Sequence, residues 1–221
     1  MQSMIKQPVL HPVQTSDQRL INLIQEKRSV NPYAEDTLEM IRLCENLNRY
    51  NKGIPTQKLI MILDQWGGKI NQRTFNTLLN KLQDYPCILQ LYQQSPFKDQ
   101  YTHSILIKKA GQFGYFADAQ TAFKETKTKG RTSAFIYNAY IDAAGRCGKM
   151  AEAITAFDEA VCKELANSTI YNTFIYVAGE NGHIDMARKI FEIVTDKKLA
   201  TSDTYNKFIN ILDSTHNCNF L

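Results

Sequence analysis

Three tyrosine–asparagine pairs stand at equal intervals: Tyr137-Asn138, Tyr171-Asn172 and Tyr205-Asn206 are 34 residues apart, and His103-Ser104 lies one interval earlier. An asparagine amide carries a donor and an acceptor side by side, so a row of them can read a ligand's hydrogen-bonding edge. The side chains that could do catalysis are badly spaced for it. His11, His103, His183 and His216 are far apart, and none has a zinc-ligand spacing to cysteine or carboxylate. Gly145-Arg146-Cys147-Gly148-Lys149 has two residues between its glycines where a phosphate loop needs four, and Met150 stands where that loop needs Ser or Thr. No nucleophile elbow or Cys–His spacing points to acyl transfer. The chemistry expected is binding without catalysis, with no metal and no small-molecule cofactor.

The elements that must position these amides follow from what recurs behind each pair. A glycine comes eleven residues on (Gly114, Gly148, Gly182), an alanine sixteen on (Ala119, Ala153, Ala187) and a phenylalanine twenty on (Phe123, Phe157, Phe191). Tyr137, Ile141 and Ala144 mark one face of a helix. Gly145 and Gly148 are expected to bracket a turn, and Lys149 to Glu164 forms a second helix with Ala153, Ile154, Phe157 and Val161 on one side. Two helices joined this way make an antiparallel hairpin. One hairpin cannot bury both its apolar faces, so neighbours must stack. The alanine lets helices approach, and the phenylalanine fills the seam. The repeated tyrosines are expected in the core.

Composition sets the bounds. The 221 residues, 43% apolar and 22% charged, suit a globular chain with a sizeable core. A net charge of +4 permits a nucleic-acid partner without demanding one. No apolar run approaches the ~18 residues needed to cross a bilayer, so no membrane association is expected. Five cysteines without a CxxC pair read as reduced thiols in a reducing intracellular compartment, which would leave the Asn167-Ser168-Thr169 sequon silent.

In chain order, residues 1–15 read as a loose tail with one basic residue, Lys6, lacking the marks of a secretory signal or an arginine-rich presequence. Residues 16–72 read as helices broken at Asn31-Pro32, Asn51-Lys52-Gly53 and Gly67-Gly68, a helical cap or degenerate repeat. Residues 73–100 are a truncated unit whose turn, Asp84-Tyr85-Pro86, lacks the glycine and whose second helix starts at Cys87. Units 101–134, 135–168 and 169–202 follow, and 203–221 supplies a lone capping helix with a frayed end.

A period of 34 also suits the tetratricopeptide class, but that class wants Leu-Gly in its first helix, where this chain has Asn138-Ala139-Tyr140-Ile141. With Tyr-Asn opening its first helix, and with Gly148-Lys149-Met150-Ala151-Glu152-Ala153 and Asn181 to Phe191 in its second helices, the sequence resembles the pentatricopeptide repeat family from roughly Arg73 to Leu212. The resemblance is strongest for the units beginning near Phe135 and Thr169. The fold class expected is all-α, an α-solenoid of stacked antiparallel helix hairpins forming a right-handed superhelix of the pentatricopeptide or tetratricopeptide kind.

The resemblance implies single-stranded RNA binding, about one base per repeat. It implies that the polar residue after each aromatic and the residue four before the next aromatic touch a base edge. Here those pairs are Asn76 with Asp99, Ser104 with Ser133, Asn138 with Asn167, and Asn172 with Thr201. Asparagine in the first place implies a pyrimidine leaning. The residue two before each aromatic is implied to wedge against bases: Tyr101, Phe135, Thr169 and Asp203. A basic residue before the turn glycine, implied for phosphates, occurs only as Arg146, with Gln112 and Glu180 at the matching places.

Stacking at ~1–3 kcal/mol per base gives four imperfect sites roughly 4–8 kcal/mol in all. Micromolar binding needs about 8 kcal/mol, so binding to RNA by this chain alone should be weak. Blander readings stand beside these. The asparagines can be plain first-turn polar residues, Phe135 and Tyr101 can be packing, Arg146 can satisfy helix-end carbonyls, and Lys108-Lys109 with Lys124 to Arg131 can form a solvated basic face. The competing function is a protein-interaction scaffold, a host-directed bacterial effector being one form. Family analogy points to a mitochondrion or plastid, and the Asn-, Gln- and Lys-rich composition equally suits a bacterial protein, cytoplasmic or secreted into a host cell.

Overall fold

The computed structural model of the chain describes residues 72–95 and 98–218. The tail expected over residues 1–15 and the cap expected over residues 16–72 lie outside the described residues, except Gln72, which opens the first described helix. Among those described, every regular element is a helix: α1 (Gln72–Lys81), α2 (Tyr85–Gln94), α3 (Gln100–Gln112), α4 (Phe116–Thr128), α5 (Ala134–Arg146), α6 (Met150–Cys162), α7 (Ser168–Glu180), α8 (Ile184–Asp196) and α9 (Ser202–Cys218). The helices pair as hairpins α1–α2, α3–α4, α5–α6 and α7–α8. The first helices α1, α3, α5, α7 and α9 pack side by side in one row, and each second helix packs against its own partner and the following first helix. The fold is an all-α solenoid.

Each hairpin turn closes the same way. Gly148 takes φ +65°, and the Lys149 amide donates back to the Ala144 carbonyl at 2.8 Å, ending α5 in a six-residue loop that a side chain at 148 would strain. Tyr115 and His183 make the matching bonds, to Ala110 and Ala178. The second helices end likewise, at Gly130, Glu164 and Lys198, the last two being non-glycine residues at φ 57°.

Gly145 was expected in the turn and instead lies inside the last turn of α5. The reason is contact between neighbouring first helices. A Cβ built on Gly145 would stand 2.5 Å from both Val177 Cγ atoms, and the equivalent atoms on Gly111 and Gly179 would meet Ala143 and Ile211 at 2.4–2.5 Å. These glycines let one first helix press against the next.

The other seam is aromatic. Phe123 stacks on Tyr140 (4.0 Å, 6°) and meets Tyr137 edge-on (5.5 Å, 74°). Phe157 does the same with Phe174 and Tyr171, and Phe191 with Phe208 and Tyr205. Each such pair adds about 0.5–1.5 kcal/mol beyond its buried area. Ala119, Ala153 and Ala187 are fully buried. Tyr137 and Tyr171 are buried, and their hydroxyls accept from Lys163 (3.0 Å) and Lys197 (2.9 Å) at the far end of the same hairpin. Tyr205 departs from the expectation of a core position. It is 46% exposed, because α9 has no second helix among the described residues to cover it.

The short first unit differs too. Its second helix begins at Tyr85, with Pro86 in the first turn where the missing amide costs nothing, so the connection is only Leu82–Asp84. Tyr85 stacks on Tyr115 (4.2 Å) and donates to Asp118, which with burial holds its phenol well above the usual range. Lys109 was read as part of a solvated basic face, yet it is buried. Its ammonium donates to the Leu82 carbonyl at 2.9 Å, finishing α1, and burial together with the charge of Lys108 lowers its pKa.

Two outcomes follow from these seams. Gly145→Ala should destabilise the chain by about 1–3 kcal/mol in urea unfolding, as overpacking does, and Val177→Ala in the same chain should recover much of the loss. Glu159 is the second case. Burial works to raise its pKa, but hydrogen bonds from Lys127 (2.7 Å), Lys163 (2.8 Å) and Tyr137 together hold it at about 2, against 4.5 ordinarily. A depressed carboxyl stabilises the fold above its unfolded pKa and loses that contribution as pH falls. Glu159→Gln should therefore flatten the decline in melting temperature between about pH 4.5 and pH 2 relative to the parent chain.

Candidate nucleic-acid interface

The row of first helices leaves one stripe of each helix uncovered. On α3 it carries Tyr101, Ser104, Lys108 and Gln112, on α5 Phe135, Asn138, Asp142 and Arg146, and on α7 Thr169, Thr173, Tyr176 and Glu180. Helical spacing puts each set on one side, and side-by-side packing lines the sets up. Tyr101 and Phe135 are 50% and 60% exposed and touch each other, with ring centroids 5.7 Å apart at 43°. A ring held between them needs roughly 7 Å, twice the carbon–carbon optimum, so a base must spread the pair or stack on an outer face. Thr169 and Asp203 are exposed and bring no ring to the matching positions.

The residues expected as base-edge partners fall in two groups. Asp99, Ser133, Asn167 and Thr201 all stand immediately before a first helix. Asp99 accepts from the Thr102 amide (2.8 Å), Asn167 from the Ile170 amide (3.1 Å), and Thr201 exchanges bonds with Thr204 in a reciprocal cap. Ser133 makes no cap bond, and its hydroxyl is buried without a partner. The residues after the aromatics are more varied. Asn76 is half-buried and accepts from the Thr102 hydroxyl at 2.8 Å, which also lies 2.7 Å from Asp99 and so brings that pair together. Ser104 donates to its own helix at the Tyr101 carbonyl. Asn138 is half-buried with its Oδ1 unpartnered, and no bond joins it to Asn167. Asn172 is only 4% exposed and bonds Thr201, Asp203 and Thr204.

Two open clefts adjoin the stripe. One, about 640 Å³, is lined by Arg73, Asn76, Asn80, Asp99, Tyr101 and Ile105. The other, about 710 Å³, is lined by Gln112, Asp142, Arg146, Tyr176, Glu180 and Asn181. Arg146 is tied to Asp142 at 2.9 Å, a bond that raises its pKa and occupies one edge of the guanidinium. Tyr176, 37% exposed in the second cleft, is an aromatic surface that the repeat landmarks do not mark, since the matching positions hold Lys108 and Asp142. Charges on the stripe nearly cancel: Lys108 and Arg146 face Asp142 and Glu180. Among the described residues no cluster of His, Cys, Asp or Glu could hold a metal ion, and no helix is long and apolar enough to cross a membrane.

The family model for the PPR repeat matches residues 135–165 and 169–199, the two hairpins α5–α6 and α7–α8. Those two hairpins are pentatricopeptide repeats. Solved structures similar to it include the pentatricopeptide repeat protein PPR10 from maize, at 19% identity and TM-score 0.58 over 90% of this chain and 32% of that one. PPR10 in complex with an 18-nucleotide psaJ RNA element is similar at 16% identity and TM-score 0.63, over 88% of this chain and 30% of that one. A C256S/C430S/C449S form in complex with the same element gives 17% and 0.63. This chain thus spans about a third of the length of the structures it matches, and at these identities the likeness shows the fold. No curated protein matches the sequence.

Because Asp99, Asn167 and Thr201, expected to touch base edges, also cap helices, they carry structural weight without any ligand. Asn167→Ala should lower unfolding free energy by about 1 kcal/mol, the ordinary cost of a lost cap, measured by urea denaturation with no RNA present.

Proposed function

We propose that this chain is a non-catalytic, single-stranded RNA-binding module. It lays about one base per repeat along the uncovered stripe of its first helices, with a pyrimidine leaning, in the service of RNA processing, stability or translation. The observation that carries the reading is the alignment of Tyr101, Phe135 and Asn138 on that stripe. Aromatic faces for stacking and an amide with an unmet bond lie side by side at the spacing of stacked hairpins. Single strands present unstacked faces and Watson–Crick edges that such groups can meet. The RNA seen with PPR10 supports the same assignment. Tyr101, Phe135 and Tyr176 would stack, Asn138 would read an edge together with Asn167, and Arg146, once freed from Asp142, would meet a phosphate. A reducing compartment, a mitochondrion or plastid by family analogy, fits the reduced thiols of Cys147 and Cys162.

The near-balance of charge on the stripe limits the affinity. With two basic and two acidic side chains on the stripe of α3, α5 and α7, few counterions are released on binding, so affinity should be weak and only mildly salt-dependent. That same balance favours the second reading, a protein scaffold, since alternating charges beside exposed aromatic rings also suit a peptide. Titration of labelled oligo-U, oligo-C and oligo-A with the full chain at 50 and 200 mM salt separates the two. RNA reading gives micromolar or weaker, pyrimidine-preferring binding that Tyr101→Ala/Phe135→Ala weakens by roughly tenfold or more. No binding of any oligonucleotide at high protein concentration rejects it.

A further inference from the structure

Where two first helices meet, the residue after one aromatic can bond the residue just before the next, as Asn76 does with Thr102 and Asn172 with Thr204. The 34-residue repeat gives Ser104 with Ile136 and Asn138 with Ile170 as the corresponding inner pairs. The outer two pairs are polar on both sides, and the inner two are not. The Thr204 hydroxyl donates to Asn172 Oδ1 at 2.6 Å while receiving the Thr201 amide at 2.8 Å. Asn172 Nδ2 in turn donates to Asp203 Oδ2 (3.2 Å) and Thr201 Oγ1 (3.4 Å). Both donors of that amide and one lone pair of its oxygen are in use, and the side chain is sealed from solvent. Asn76 is tied at its oxygen alone, by Thr102.

At Asn138 the same place in the seam holds Ile170, which has no hydroxyl. Asn138 Oδ1 is buried and unpartnered, and no hydrogen bond holds the amide among the described residues. The χ2 torsion of asparagine is broad, so this amide can turn to a ligand without breaking a bond. Asn172 must first give up three. A net hydrogen bond is a small difference between bonds made and bonds lost, so two chemically identical amides differ in what a base can gain from them.

We infer that the residue before each aromatic gates the reading amide of the preceding unit. Thr204, and in part Thr102, hold Asn172 and Asn76 in the protein's own bonds. Ile170 leaves Asn138 free, and base selectivity falls on that one register. The inference rests on the RNA reading above and says which of its amides discriminates.

The test uses the full chain and labelled oligo-U and oligo-A. Asn138→Ala should reduce the preference for U roughly tenfold, about one hydrogen bond's worth at the upper end, whereas Asn172→Ala should change it by less than about twofold. Thr204→Val removes the hydroxyl and keeps the shape. It should open a second discriminating register, so that Asn172→Ala placed on it now lowers the preference as Asn138→Ala does. Should that chain fold poorly, Ile170→Thr makes the reverse exchange and should blunt the selectivity carried by Asn138. A readout without ligand accompanies these. Asn172→Ala and Thr204→Val should each lower the melting temperature by about 3 °C, with less than additive effect together, and Asn138→Ala should not lower it. Equal loss of U preference in Asn138→Ala and Asn172→Ala, or an inert Ile170→Thr, overturns the gate while RNA binding stands. Failure of every oligonucleotide to bind overturns the RNA reading and this inference with it.

Discussion

The rest of the structure depends on how closely one first helix can approach the next. Gly111, Gly145 and Gly179 each face a side chain of the following first helix at a distance where a Cβ has no room. Contact at that range fixes both the spacing and the rotation of neighbouring hairpins, because helix surfaces that interlock this tightly have few alternative arrangements. The aromatic clamp then sets the opposite side of the seam. Phe123, Phe157 and Phe191 each lie flat on one ring and edge-on to another in the next unit. Lys163 and Lys197 reach back to the tyrosine hydroxyls, so a buried phenol keeps a polar partner.

Stacking fixed this way has a direct consequence for binding. The leading turns of the first helices are brought into register, and their side chains must divide between neighbours in the protein and whatever lies along the stripe. The division is uneven. Capping takes Asp99, Asn167 and Thr201, the inter-helix seam takes Asn172, and what remains is the exposed rings of Tyr101, Phe135 and Tyr176 and the half-buried amide of Asn138, whose oxygen is unbonded. Stability and recognition draw on the same few polar groups, and a hydrogen bond committed to one is withdrawn from the other.

The first and last described units show what happens when the repeat is incomplete. Beside the short unit, α3 carries His103 where later units have tyrosine, held by the Asp99 carbonyl at 2.6 Å and edge-on to Tyr92, and its Lys109 comes inward to finish α1. At the other end α9 presents Tyr205 and Ile209, 46% and 52% exposed, although their counterparts Tyr137, Ile141, Tyr171 and Ile175 are buried. The same residue types reverse their environment because burial here comes from the next element and not from the unit itself.

That dependence separates what was legible in the sequence from what was not. The sequence by itself determined the helical hairpin, its period, the turn at Gly148 and the core placing of Tyr137, Tyr171 and the repeated alanines. Each of these follows from local spacing that repeats from unit to unit. The aromatics at Tyr140, Phe174 and Phe208 carry the same period and were legible in principle, while Gly145 looked like a turn residue because a glycine near a helix end usually is one. Only the tertiary structure decided that Gly145 is a contact, that Lys109 is buried, and that Asn172 is occupied where Asn138 is free. The reason is physical: whether a side chain two helices away bears a hydroxyl or a methyl group decides whether an amide has a partner, and identical Tyr-Asn pairs hold no trace of that neighbour.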